Sequence, residues 1–251
     1  MSATRPFAPG NYTTIPAVFQ YSGGAAALPG FEIERVTFRS WLPLAEGFAR
    51  VEAYLKSIGR PLTAFCACEL RSPGQFSEAG FIAFNQLYCE TLARWGIYDT
   101  ASKFNPVARS NVCPLLDAPK EPGFFAFSYT VPSKAKTPSF VISGSGEAPE
   151  GKGAYGNFIV RRGETSPDAM ADKARSVLGE MERRMGLLGF AWRDTTAAQI
   201  YTIHDIHPFL GSEIVRRGAA RTGVIWHLAR PPVVELEYEM DCRSVAIERA
   251  I

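Results

Sequence analysis

The 251-residue chain is predicted to be an α+β protein built from two equivalent tandem units that divide near residue 136. Three observations carry this. The order strand–helix–strand–helix–strand–strand can be traced twice along the chain. Arg60–Phe76 (RPLTAFCACELRSPGQF) lies without gaps over Arg193–Phe209 (RDTTAAQIYTIHDIHPF). ARSNV at Ala108–Val112 lies over ARTGV at Ala220–Val224. Length agrees, since roughly 150 residues per domain allows one large or two small units, each with a core. The expected organisation is an N-terminal arm over 1–32, a first domain over 33–135 and a second over 136–251.

The elements follow in order. Residues 1–32 are rich in Gly, Pro, Ala and Thr and read as an irregular arm. Ile33–Trp41 (IERVTFRSW) reads as a strand, and Pro43 opens a helix at a favoured first-turn position. Its stripe of Leu44, Phe48, Val51, Leu55 and Ile58 steps by four and three, and Gly59 ends it. Thr63–Leu70 is a strand. A second helix covers Phe76 to about Trp95 with Phe81, Phe84, Tyr88 and Leu92 at helical spacing. Strands around RSNVCPLL and GFFAFSYTV complete the first unit, and SKAKTP (Ser133–Pro138) links it to the next. There Ser139–Gly146 (SFVISGSG) is a strand, and Arg161–Gly163 suits the turn of a hairpin. Pro167 opens a long helix with the stripe Met170, Ala174, Val177, Met181, Met185 and Leu188. QIYTIHD is a strand, PFLGSEIVRRG a short helix, and GVIWHLA and VVELEYEM are closing strands.

Composition limits the function. With 46% hydrophobic and 21% charged residues, the chain has a globular profile. No apolar run approaches the ~18–20 residues that span a bilayer, and the first residues lack a signal-type apolar segment, so a cytoplasmic location is expected. Lys and Arg number 27 against 25 Asp and Glu, with no basic block, so nothing calls for nucleic acid. Cys66, Cys68, Cys89, Cys113 and Cys242 form no CxxC pair and read as buried thiols in a reduced compartment. A Cys–His nucleophile built on Cys113 or Cys242 is the reactive alternative. All three histidines, His204, His207 and His227, fall in the second half. H-D-x-H invites a metal reading, against a turn in which Asp205 caps the helix beginning near Pro208. SGSGEAPEGKG lacks GK[ST], so a phosphate loop is not expected. In VVELEYEM, Glu235, Glu237 and Glu239 alternate with apolar residues and would share one strand face, opposed by Arg221, Arg230 or Arg243. The matching face of GFFAFSYTV carries Phe125, Phe127 and Tyr129.

The ordered set VISGSGE, the helix from Pro167, QIYTIHDIHPF, ARTGV and VELEYEM resembles the Rid (YjgF) superfamily. The resemblance covers most of residues 139–245 and extends to 33–132 through ARSNV and the helix order. It implies tandem chorismate-mutase-like domains, each a small mixed sheet with two helices on one face, and a homotrimer with sites between domains. It also implies hydrolysis of imines formed from enamines, releasing ammonia with no metal and no organic cofactor. The tandem form resembles the 2-aminomuconate deaminases of nitroaromatic and aminophenol breakdown, which implies an unsaturated dicarboxylate or a chlorinated relative as substrate. Carried over by position, Arg221 would grip the substrate carboxylate, Glu237 would hold the attacking water, and Ser143 and Gly144 would line the pocket. Arg109 matches the same arginine in the first unit and either holds a second carboxylate or is structural. Trp41 and Phe127 depart from the pattern there.

The chemistry supports those residue types independently. An enamine of a 2-amino acid must tautomerise before water adds, while the neighbouring carboxylate is held in place. A guanidinium fork matches a carboxylate with two parallel hydrogen bonds and keeps its proton. A nearby carboxylate can orient water and pass its proton to the departing ammonia. Two other readings remain open at this level: a small-carboxylate binding module without catalysis, and a chorismate-type lyase on a similar fold.

Overall fold

Local sequence explains most elements of the computed structural model, which describes residues 3–149 and 151–251. Strand β1 is Arg5–Phe7, β2 Tyr12–Thr14, β3 Gly24–Ala27 and β4 Phe31–Pro43. Helix α1 (Leu44–Ser57) starts directly after Pro43 and buries Phe48, Val51 and Leu55, as the stripe predicts; Ile58 is its C-cap and stays exposed. After β5 (Phe65–Arg71), α2 (Glu78–Arg94) is opened by Ser77, whose side chain accepts the Gly80 amide hydrogen. β6 (Ala108–Pro114) and β7 (Gly123–Pro132) follow, then β8 (Phe140–Gly146). Ser166 caps α3 (Pro167–Leu187), and Met170, Ala174, Val177, Met181 and Met185 are buried as expected. β9 (Ala197–Tyr201), β10 (Ile225–His227), β11 (Ala229–Arg230), β12 (Glu239–Ser244) and β13 (Ile247–Ala250) complete the chain. No helix among the described residues is long and apolar enough to cross a membrane.

The strands form two sheets, in the orders β1-β2-β3-β8-β12-β9-β10 and β11-β6-β5-β7-β4-β13. The expected tandem, chorismate-mutase-like Rid domains, each with its own sheet and two helices, are therefore corrected. Residues 5–27 give three strands to the sheet of the C-terminal half, where an irregular arm was expected. In return β11 and β13 lie at the two edges of the sheet of the N-terminal half. The second half also has one long helix, because PFLGSEIVRRG forms a single turn at His207–Phe209 that widens over Leu210–Val215.

Two further expectations fail for identifiable reasons. The turn at Arg161–Gly163 closes no hairpin; the described part of 147–166 carries only the short turn Tyr155–Asn157. VVELEYEM is not a strand until Glu239. Pro231 and Pro232 lack ladder donors, Glu235 has φ +72°, and the loop turns to bond the other half instead. There Phe76 N donates to Pro232 O (2.7 Å) and Val234 N to Phe76 O (3.0 Å). ARSNV and ARTGV also part company: the first lies inside β6, the second in a turn before β10, with Gly223 at φ +87°.

The sheets pack face to face, with α1 and α2 covering one outer face and α3 the other. An apolar patch of Tyr12, Ala25, Ile33, Ala67 and Ala108 joins the inner faces. Beside it lies an ionic layer. Glu69 accepts from Arg35 Nε (2.6 Å) and Gln199 Nε2 (3.2 Å), while Asp241 accepts from Gln199 Nε2 (2.9 Å), Tyr201 OH (2.8 Å) and Ser110 Oγ (2.5 Å). Burial pushes the Glu69 carboxyl up, but the Arg35, Arg243 and Arg71 guanidinium groups outweigh it and hold it well below the carboxylate range. Burial and the Glu69 charge push Asp241 the other way.

His227 stacks on Tyr201 at the rim of this layer, 5.1 Å between centroids, and its Nε2 lies 3.1 Å from Gln199 Oε1. Burial, then the Arg71 charge, lowers its pKa from 6.5 to about 4. An unfolded chain takes up this proton near 6.5 and the folded one only near 4, so His227 costs stability as pH falls through that window. The full cost is about 3 kcal/mol. Thermal unfolding from pH 7 to pH 4 is expected to show a steeper loss for the parent chain than for His227→Gln; parallel curves would contradict the assignment.

Candidate active site

The cleft that unites the best chemical groups lies between the two halves, where β6 meets the ends of β8 and β12. It is narrow, with a volume of about 30 Å³, and is lined by Arg109, Asn111, Gly144, Glu239, Phe81 and Leu236, among others. Strand alternation explains the first two. Along β6, Ala108, Ser110 and Val112 face the opposite sheet, whereas Arg109 and Asn111 turn toward α2. The Arg109 guanidinium lies 4.8 Å from the Tyr88 ring centroid, 5.1 Å from Tyr21 and 5.6 Å from Phe81. It is 2% exposed, and neither Nη1 nor Nη2 has a hydrogen-bond partner among the described residues. A cation taken from water normally gains a carboxylate or carbonyl partner. Ring faces supply only part of that compensation.

The opposite wall is built by close approach. A Cβ on Gly144 would sit 2.0 Å from Glu239 Oε1 and 3.2 Å from Ser110 Cα, so only glycine admits the carboxylate here. Leu236 is carried by the 231–238 loop, which both halves pin and which leads directly into Glu239 at the start of β12. Gln75 Nε2 lies within 3.0 Å of the carbonyls of Pro231, Val233 and Leu236. Glu147 accepts from Glu237 N (2.7 Å) and Tyr238 N (3.1 Å) and pairs with fully buried Lys173 at 3.1 Å. Burial raises the Glu147 pKa, with Lys173 opposing.

Three of the residues singled out by sequence meet at this cleft: Arg109, Gly144 and, behind the wall, Ser143. The Ser143 hydroxyl is buried, accepting from Arg109 N (3.0 Å) and donating to Ser22 O (2.5 Å), so its contact with the cleft is through the backbone it holds. Arg221 is exposed on the turn between Gly218 and Gly223 and does not line the cleft. Glu237 is bound elsewhere, accepting from Arg230 Nη1 (2.7 and 2.8 Å) and lying 2.9 Å from His204 Nε2. The three acids of VELEYEM do not share a face: Glu235 pairs with Arg162, Glu237 with Arg230, and Glu239 faces the cleft. Asn111 escaped notice. Its signal was present in ARSNV, where a second polar side chain falls two residues after Arg109 on the same strand face.

The histidines part from one another. His204 meets Glu237, and His227 stacks on Tyr201. His207 Nδ1 lies 2.6 Å from Asp205 Oδ1, which also accepts the His207 amide hydrogen; the expected Asp205 cap does not form, because the helix starts at His207 with Ile206 as its N-cap. Among the described residues, no three His, Cys, Asp or Glu side chains are grouped to hold a metal. All five cysteines are buried and free, and burial raises each thiol pKa, Cys68 and Cys113 to about 12 and Cys89 to about 11. None is primed as a thiolate nucleophile.

The chain resembles known proteins along most of its length. A solved chorismatase structure superposes with TM-score 0.52 over 89% of this chain and 77% of its own, at 13% identity. That likeness concerns fold alone, and it runs through both halves as one unit, in keeping with the exchanged strands. A protein of Comamonas testosteroni named 2-amino-5-chloromuconate deaminase is 52% identical over 98% of each chain. The family described as 2-aminomuconate deaminase CnbZ matches residues 4–249. The chain belongs to this 2-aminomuconate deaminase family and is an enzyme acting on carbon–nitrogen bonds.

Proposed function

We propose that the enzyme hydrolyses the imine tautomer of an unsaturated 2-amino dicarboxylate, 2-aminomuconate or a chlorinated relative, in aromatic-compound degradation, and that the Arg109 cleft is where it does so. The observation that carries this is the pair of unpartnered, buried guanidinium nitrogens of Arg109 facing a cleft that also holds Glu239. Arg109 binds the carboxylate beside the reacting carbon through its fork. Protonation of the enamine at its distal carbon gives the imine, and Glu239 orients water and accepts its proton as the oxygen bonds to the C=N carbon beside the carboxylate, giving a carbinolamine. That proton passes to nitrogen; the carbinolamine hydroxyl then gives up its own proton, relayed to nitrogen by the same carboxylate, as the C=O bond forms and the C–N bond breaks, and ammonia leaves behind a 2-oxo acid. Phe81 and Leu236 give the carbon chain an apolar bed and exclude bulk water. Gly144 admits the Glu239 carboxylate, and Ser143 fixes the backbone at that point. No catalytic step is assigned to Arg221 or Glu237, since neither lines this cleft.

A homotrimer in the cytoplasm completes the reading. Leu115, Leu116 and Leu228 are exposed just past the end of β6 and between β10 and β11, with Leu115 N bonded to Leu228 O at 2.9 Å, and apolar surface of this kind favours association. The five free thiols agree with a reducing compartment.

Ammonia release from freshly generated 2-aminomuconate tests the site. Arg109→Ala is expected to lower kcat/KM by roughly a hundredfold, the scale for truncating one partner of a buried charge pair. Arg221→Ala should stay within about twofold, as a surface ion pair does. The opposite pattern would move the carboxylate site to Arg221, and loss of turnover with EDTA would show that a metal is required. Gly144→Ala should push the Glu239 carboxylate aside and cost kcat on the order of a hundredfold while the protein stays folded. Light scattering is expected to give three times the chain mass; a monomer would contradict the trimer.

A further inference from the structure

We propose that the Asn111 side-chain amide makes this cleft select diacids, by donating to the second carboxylate of a ligand whose first carboxylate Arg109 holds. The inference rests on the reading of the Arg109 cleft given above. Asn111 is 3% exposed and lines that cleft, and its Nδ2 has no hydrogen-bond partner among the described residues. Its orientation is fixed from behind. Asn111 Oδ1 accepts from Ser72 Oγ at 2.9 Å, and the Ser72 backbone is itself bound to Val112 O at 2.9 Å. With the oxygen committed to Ser72, the NH2 group is turned away from it, and it can only donate. What it requires is an acceptor.

Arg109 and Asn111 stand two residues apart on one face of β6, so their Cα atoms are about 6.6 Å apart along the strand. One carboxylate engages both terminal nitrogens of the Arg109 fork. The donors on Asn111 then call for a second acceptor farther along the ligand, beyond a carbon chain that Phe81, Val233 and Leu236 can cover. A neutral, preoriented donor suits discrimination. It penalises a ligand that leaves it unpaired, and it binds an acid without the long-range attraction that a second cation would give every anion.

The test uses two unreactive probes with a six-carbon diene, cis,cis-muconate with two carboxylates and 2,4-hexadienoate with one, titrated calorimetrically into the full chain. The parent is expected to bind muconate about tenfold tighter or more. Asn111→Leu should bring the ratio close to one by weakening muconate, whereas Arg109→Ala should weaken both probes. Ser72→Ala, which frees the amide to turn, should give an intermediate ratio. Asn111→Asp keeps the shape and the Ser72 bond but sets a negative charge against the far acid, so the preference should invert; it also serves if Asn111→Leu fails to fold. A parent with no preference for muconate, or an Asn111→Leu that weakens both probes equally, overturns the proposal. Turnover of 2-aminomuconate separates the two claims. Intact turnover with an unchanged ratio removes only the Asn111 assignment, and absent turnover with a clear diacid preference removes only the reaction.

Discussion

Two serine hydroxyls at the join between the sheets determine where the cleft can exist. Ser143 on β8 accepts the Arg109 amide hydrogen, and Ser110 on β6 accepts that of Gly144 while donating to Asp241 on β12. These bonds run between halves and set β6 against β8 in one register. Because a strand alternates its faces, placing Ser110 against the opposite sheet turns Arg109 and Asn111 the other way, under α2. A slip of one residue would exchange the two pairs, sending the guanidinium into the ionic layer and a hydroxyl into the cleft. The carboxylate of Glu239 enters across Gly144 in the same registration. Site and sheet join are one construction.

The ionic layer behind the cleft is costly to assemble, since Arg35, Glu69, Asp241 and Arg243 all lose most of their water. Apolar side chains of equal volume could match or exceed its stability. What the layer adds is exclusivity. Asp241 must meet Ser110, Gln199 and Tyr201 together, and Glu69 must meet Arg35, or a charge is stranded at a cost of about 3–5 kcal/mol. Apolar faces would tolerate a shifted register far better. The last strand contributes as well: Glu248 of β13 accepts from Arg35 (2.9 Å) and Arg243 (2.8 Å), fastening the chain end to both sheets.

Local signals made the helices legible, and non-local pairing hid the rest. The stripes of α1, α2 and α3, with Pro43 and Pro167 at their starts, could be read from spacing because a helix completes its hydrogen bonds within itself. A strand does not. Nothing in GAAA or ERA says that β3 and β13 join the sheet of the other half; only the partner edges decide it. The acidic alternation of VELEYEM misled because period two is necessary for a strand but insufficient against two prolines and a loop with better partners at Gln75 and Phe76. At the site, Arg109 and the Ser-Gly turn were visible as residue types. Burial, which distinguishes Arg109 from Arg221, is a property of the fold.

That distinction bears on what an arginine can do. In water a guanidinium and a carboxylate already have good partners, so bringing them together on an exposed turn gains about 0–1 kcal/mol. Arg221 stands in that situation. For Arg109 the water has been removed during folding, and Tyr21, Phe81 and Tyr88 return only part of the lost solvation. Folding therefore leaves a donor pair whose best remaining partner is an incoming carboxylate, and the attraction acts at low dielectric once the ligand displaces what water the cleft admits. The same arrangement favours chemistry over mere retention. A carboxylate held by a fixed fork fixes the adjacent carbon, and Glu239, at the start of β12 over Gly144 and preceded by a loop tied at Gln75 and Glu147, faces the same cleft. Preorganised groups of this kind accelerate a reaction because their ordering cost was met during folding rather than in the transition state.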